Sequence, residues 1–316
     1  MTISMIGIGQ HLLQQNMDLK KGEQLLIIVD ETTLSIGQAL FAAGSKLGAQ
    51  AVVMQMPLLG KSGREPLPIV SQAMPVADVV VAATAHSLTH TQARKRACAA
   101  GARVATMPGI TEEMFAGGAL AADYEKIAAR THILSDLLTQ AKEAVLINGG
   151  ARLTMSLDKR KGIPSTGIYH KKGQAGNLPS GEAYIAPVEG SAEGEIIIDG
   201  SFAGIGTLQA PLKLVFAQGV MVDAVGPDGD ELLSLLGDEP LARNLAELGI
   251  GTNDKARVTG VVLEDEKVYG TAHIALGSND TFGGQVAAGI HLDGVMMAPE
   301  LYLDDRLVLQ DGELQI

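Results

Sequence analysis

The chain has 316 residues, 46% hydrophobic and 19% charged, which excludes a disordered or fibrous polypeptide and leaves room for two domains with sizeable cores. Its 36 acidic and 24 basic side chains give a formal charge of -12, the wrong sign for a phosphate backbone, and aromatics are only 3% with no Trp. Nucleic acid is therefore excluded as a partner.

The single cysteine, Cys98, cannot form an internal disulfide. Met1–Gln15 has no basic segment leading into an apolar stretch, and no apolar run approaches the ~18 residues of a membrane span. A cytoplasmic protein without membrane contact is expected.

In chain order, short apolar runs alternate with helical patterns through the first half. Gln24–Asp30 is followed by an amphipathic stretch from Thr33 to Leu47, then by runs at Ala51–Met56, Asp78–Ala83 and Ala102–Met107, with Glu143–Ile147 closing the series. Apolar runs of this length separated by helices indicate a parallel sheet buried on both faces, so residues 1–150 are read as a doubly wound α/β domain. Past Gly149-Gly150 the character changes. Ala151–Leu157, Glu195–Gly200, Leu212–Phe216 and Gly219–Ala224 read as strands punctuated by glycine turns, and one helix is predicted from Asp230 to Leu248. Residues 151–316 are expected to form a mixed, largely antiparallel α+β metal-binding domain.

The doubly wound half carries no nucleotide signature. Its first strand runs into Asp30-Glu31-Thr32-Thr33 without the glycine-rich turn a dinucleotide needs, Gly7-Ile8-Gly9 precedes that strand and lacks a third glycine, and no P-loop sequence is present. Nucleophile motifs are equally scarce. No Gly-x-Ser-x-Gly elbow occurs, Cys98 lies on a helical pattern and reads as structural, and His86 and His90 read as ordinary loop histidines.

Candidate metal ligands concentrate in the second half. His273 and His291 stand in glycine-bounded segments, and in His291-Leu292-Asp293 a spacing of two puts both side chains on one face of a strand. Imidazole and carboxylate together suit Zn, Co, Mn or Fe. Glu182 follows the turn Asn177–Gly181. Glu247 falls at the predicted helix end, where the macrodipole disfavours a carboxylate unless a cation lies beside it.

Four stretches in this order, Asn177–Glu182, Glu247–Asn253, Asp265–Gly277 and His291–Asp293, resemble the aminopeptidase T and aminopeptidase S family of metalloaminopeptidases. The likeness covers about residues 145–316 well and the first half in general layout. It implies a dinuclear site of divalent ions held by Glu182, Glu247, His273, His291 and Asp293, a cleft in the C-terminal domain, and a homodimer.

The position where those aminopeptidases carry a Tyr is Asp280, and the N-terminal half is shorter than theirs. A related group resembling 2,5-dihydroxypyridine dioxygenase shares the scaffold and holds one ferrous ion with two histidines and an aspartate, for which His273, His291 and Asp293 would serve.

The leading expectation is a hydrolase that activates water on two metals against the amide of a small-molecule or short-peptide substrate, with Glu266 as the proton-transfer carboxylate and His170 and Tyr184 on the substrate side. The alternatives are a mononuclear iron ring-cleaving dioxygenase and a metal-stabilised protein without an open coordination position.

Overall fold

The structure is a computed structural model that describes residues 4–316; residues 1–3, part of the Met1–Gln15 stretch, lie outside it. It is α/β and forms two compact units. One comprises the chain up to Tyr124 together with Gly167–Ser180, and the other comprises Glu125–Thr166 and Gly181–Ile316. No helix among the described residues is long and apolar enough to cross a membrane.

The first unit holds a parallel sheet of β1 (Gln24–Val29), β2 (Gln50–Gln55), β3 (Val79–Thr84) and β4 (Arg103–Pro108), in the order β2-β1-β3-β4, with Ala175–Asn177 added beyond β4. The interior strand β3 is buried throughout, as its Val-Val-Val-Ala-Ala-Thr sequence requires of a strand covered on both faces. The carboxyl ends of β1 and β3 are tied together by Asp30. Its carboxylate accepts from the amides of Thr32 and Ala85 at 3.0 and 2.6 Å, and Thr33 Oγ1 donates to the Ala83 carbonyl at 2.6 Å. Gly7 and Gly9 lie within the helix Met5–His11; Gly9 is small so that Ala43 can approach, a Cβ there being 3.1 Å from the Ala43 methyl.

Two expected elements are corrected. Glu143–Ile147 does not close the parallel sheet, because β5 (Glu143–Asn148) turns at Gly149-Gly150 and pairs antiparallel with β6 (Ala151–Ser156). Both glycines have positive φ, +58° and +83°, the backbone of a two-residue type I′ hairpin. The predicted helix Asp230–Leu248 is shorter, Gly229–Leu236, and stops at Gly237, whose φ is +63°. After a short turn at Pro240–Arg243 the chain forms β8 (Leu245–Gly251), all seven residues of which are buried. The high helix propensity of Leu, Ala and Glu yields here to burial between two strand neighbours.

The second unit is a sandwich of two antiparallel sheets. The larger one runs Val220–Val225, Leu212–Ala217, Glu193–Ile198, β6, β5, Glu300–Leu303, Arg306–Gln310, Glu313–Leu314. The other is centred on β10 (His291–Met296), β9 (Ala272–Gly277), β8 and β7 (Glu182–Ile185), which are neighbours in that order.

One face of this second sheet supplies Ile185, Leu248, Ile250, Ile274, Leu276 and Met296 to the core shared with Leu146, Leu153, Ile196 and Leu214 of the larger sheet. Full burial of each such side chain stabilises by about 1.5–3 kcal/mol. Period-two alternation then forces the intervening residues of β7 to β10 onto the opposite face, which carries the site.

Candidate metal centre

That face is defined by register. Gly249 of β8 pairs with His273 of β9 and with Tyr184 of β7, Gly251 pairs with Glu182, Ala275 pairs with Glu247 and with Asp293, and Gly277 pairs with His291. On one side each of these ligands stands opposite a Gly or Ala, although His273 has Val295 and Glu182 has Ser165 on the other, and the space a larger side chain would take there is left to the converging imidazoles and carboxylates. Gly249 has the tightest fit: a Cβ there would lie 2.0 Å from His273 Nε2. Gly249→Ala should displace the His273 ring and lower metal affinity by about 10–100-fold, as for loss of a ligand's orienting contacts. Equilibrium dialysis against Mn²⁺ checks this, and unchanged affinity would remove the role given to Gly249.

Glu182, Glu247, His273, His291 and Asp293 are thus brought together from four adjacent strands. Glu247 sits inside β8, so the helix-end argument for it is withdrawn, because no helix terminus exists there. Its carboxylate lies between the two rings, with Oε1 3.3 Å from His273 Nε2 and Oε2 3.6 Å from His291 Nε2. His291 Nε2 is 3.2 Å from Asp293 Oδ1, and its Nδ1 donates to the Ser278 carbonyl at 2.8 Å. A carbonyl only accepts, so Nδ1 carries the proton and Nε2 is left as the ligand atom.

Two groups of ligand atoms, Glu247–His273–Asp293 and Glu182–Glu266–His273, each lie within 4.8 Å of one another; His291 belongs to neither and adjoins the first through Asp293. Glu182 Oε2 and Asp293 Oδ1 are buried without a hydrogen bond. Buried lone pairs of this kind cost free energy unless something pairs with them, and a divalent cation does so. The nitrogen and oxygen donors fit such an ion.

The electrostatics are those of a desolvated cluster. Burial alone would favour the neutral His273 ring, but the Glu247 hydrogen bond and the nearby Glu182 and Glu266 charges outweigh it and lift the pKa to about 9. Burial opposes charge on His291 as well, and Asp293 and Glu247 lift it to about 10. Burial raises Glu247, with the histidines only partly offsetting it. Asp293 is lowered, burial notwithstanding, by His291. Glu266 is raised to about 8 by burial against the pull of Lys267. A metal ion entering this cluster displaces protons from the two rings.

Lys267 is a residue the sequence reading missed. In Asp265-Glu266-Lys267 it reads as part of a solvated charge run, yet its side chain is 1% exposed and its Nζ is 2.6 Å from Glu182 Oε1 while also bonding Glu266 Oε1. Burial would depress its pKa, but the Glu182 and Glu266 carboxylates outweigh that and raise it, so it stays an ammonium. Asp265, fully buried, shapes the turn by accepting from the Thr259 and Gly260 amides at 2.6 and 2.9 Å.

Of the other expected site residues, Tyr184 faces the cluster, and Asp280 is exposed and belongs to neither ligand group. His170 lies in the first unit, exposed, with Nε2 2.7 Å from the Gln15 carbonyl. Phe282 was not anticipated. Its ring packs edge-on against Tyr184 and His291, at centroid distances of 5.5 and 5.8 Å. Phe282 sits on the segment Ser278–Ile290, which Glu189 clamps by accepting from Asn279 Nδ2 at 3.0 Å and the Gln285 amide at 2.8 Å while pairing with Arg160.

A two-sheet scaffold displaying histidines and carboxylates on one face defines an enzyme built around residues able to hold a metal. The chain belongs to the 2,5-dihydroxypyridine 5,6-dioxygenase (NicX) family, whose model matches residues 6–316. A 2,5-dihydroxypyridine 5,6-dioxygenase of Pseudomonas putida KT2440 is 24% identical over 199 residues, 56% of this chain and 55% of that protein, so the match spans about half the length of this relative.

Among solved structures, the 2,5-dihydroxypyridine dioxygenase of the same organism superposes with a TM-score of 0.82 at 17% identity, over 99% of this chain and 97% of that one. Wild-type AmpT from Thermus thermophilus superposes at 0.72, also at 17% identity and over 99% of both chains. At such identities the likeness is one of fold. The expectation of an aminopeptidase-type hydrolase is therefore corrected, since the family match and the curated relative are both dioxygenases. The resemblance to aminopeptidases is one of shared scaffold.

Proposed function

We propose that this chain is an iron-dependent dioxygenase that opens an electron-rich hydroxylated ring of the 2,5-dihydroxypyridine type. The observation that carries the reading is the presence of two histidines and an aspartate, His273, His291 and Asp293, on one sheet face of a chain in this family. When bound by these three, a ferrous ion supplies the one-electron chemistry that lets dioxygen react with such a ring.

The remaining residues position and exchange protons. Glu247 holds the His273 ring by a hydrogen bond and the Ser278 carbonyl fixes the tautomer of His291. Tyr184 and Phe282 form an aromatic wall, edge to face, against which a flat ring can pack. Burial lifts the Glu266 pKa to about 8 against the pull of Lys267, close enough to neutrality for the carboxyl both to give and to take a proton; with Oε1 bonded to Lys267, Oε2 is the atom that can exchange it with a ring hydroxyl. The substrate is a small molecule on this reading, and a homodimer is proposed as the assembly.

The test is an oxygen-electrode assay of protein reconstituted anaerobically with Fe²⁺, using 2,5-dihydroxypyridine as substrate. One O₂ consumed per ring lost from the ultraviolet spectrum is expected, with aminoacyl anilides left intact. Absence of oxygen uptake from iron-loaded protein on this and related dihydroxylated rings would overturn the assignment.

A further inference from the structure

The two ligand groups share His273, yet they are not equivalent, and the difference lies in what each already contains. In the Glu182–Glu266–His273 group a cation is present and covalently tethered: the Lys267 ammonium sits 2.6 Å from Glu182 Oε1 and bonds Glu266 Oε1. In the Glu247–His273–Asp293 group the carboxylates instead meet the two imidazoles, Glu247 at 3.3 and 3.6 Å and Asp293 at 3.2 Å.

We propose that Lys267 takes the place of a second metal ion, making the centre mononuclear by filling the Glu182–Glu266 position with its own ammonium. The scaffold displays enough carboxylates for two dications, and the lysine uses up the surplus.

First, the lysine is held in place. Its side chain is 1% exposed, and it extends from a turn fixed by the buried Asp265 carboxylate, which bonds the Thr259 and Gly260 amides. Second, a dication in the Glu182–Glu266 group would have to share two carboxylates with an ammonium already at hydrogen-bond distance, in a site where burial leaves little water to screen the repulsion. Third, removing the ammonium would leave Glu182 and Glu266 buried and without their cation, which favours recruitment of a metal there. Lys267 is thus a positioning residue that sets metal number and holds Glu266 toward the site. The inference rests on the metal centre of the proposed function and is independent of which ring is the substrate.

The experiment counts Mn²⁺ bound per chain by equilibrium dialysis with elemental analysis, with electron paramagnetic resonance to detect a spin-coupled pair. Wild type, Lys267→Met, Lys267→Met/Glu182→Gln and Glu266→Gln are compared. Wild type should bind one Mn²⁺ with an uncoupled spectrum. Lys267→Met should bind two with a coupled spectrum, and adding Glu182→Gln should return the count to one. Glu266→Gln should remain at one, because that carboxylate meets the lysine rather than a metal.

Two ions in wild type, a fall in count for Glu266→Gln, or a folded Lys267→Met protein still limited to one ion would each overturn the proposal. Should Lys267→Met fail to fold, Lys267→Gln, which removes the charge but keeps a polar end, is counted in its place, with two ions expected and one overturning the proposal. A wild type that binds one ion yet consumes no oxygen would leave this inference standing and remove only the proposed reaction.

Discussion

His291→Ala should yield a folded protein that retains almost no iron and consumes oxygen at least about 10³-fold more slowly than wild type. The ring contributes Nε2 from a half-buried position at the end of β10, so its loss opens no large cavity in the sandwich core, whose apolar side chains lie on the other face of the sheet. What is lost is one of the three ligands of the proposed facial set together with the partner of Asp293, leaving a buried carboxylate without its cation. Removal even of groups that only orient a ligand typically costs about 10–100-fold in metal affinity or activity, so removal of the ligand itself should cost more. Metal analysis, oxygen uptake and thermal melting are measured on the same preparation. Iron content unchanged from wild type would remove His291 from the ligand set.

Glu189→Ala should lower kcat/KM for ring cleavage by about 10²-fold, the scale expected when a wall of the site moves by about an ångström. Glu189 lies away from the ligands but holds Asn279 and Gln285, and so the segment carrying Phe282 and the Ser278 carbonyl that orients His291.

Burial by itself would raise the Glu189 pKa; its own amide, the Gln285 amide, Asn279 and Arg160 outweigh that and hold it below the ordinary carboxylate value. A carboxylate lowered by folding stabilises the folded state above its unfolded pKa, and that contribution is lost as pH falls through the lowered value. Wild-type protein should therefore lose the clamp only in acid, whereas the variant lacks it at every pH. Limited proteolysis of Ser278–Ile290 across pH reads the clamp directly. Equal cleavage of wild type and variant near neutrality would contradict the assignment.

Much of this architecture is written locally in the chain. β1 and β3 are continuous apolar runs and were legible as buried parallel strands, and the spacing of His291 and Asp293 put both on one strand face. Legibility failed where distant partners decide. Ala175–Asn177 joins the parallel sheet beside β4 from far downstream, and three residues with a glycine at the centre carry no periodic signal. β8 has the composition of a helix and becomes a strand because β7 and β9 flank it. Lys267 sits in a charged triplet that resembles a solvated turn; only the sheet register, which brings Glu182 beneath it, shows that its ammonium is buried. Gly249 gave no signal either, since the need for a missing Cβ arises from a ring on the neighbouring strand.

The placement of the ligands on interior strands also decides how the protein behaves when its ion is absent. In a small zinc module the metal organises the chain, and removing it unfolds the domain. Here the ligand backbones are hydrogen-bonded into a sheet whose reverse side is packed into the core, so their geometry persists without the ion. The amides of β8 and β9 belong to the slowest-exchanging part of such a fold, opening only when the whole unit opens. Loss of the ion therefore leaves a preformed cluster of charged groups rather than a loosened chain, and its two imidazoles take up protons in the ion's place. Reloading is then a proton-for-metal exchange in a preformed frame, free of any refolding step.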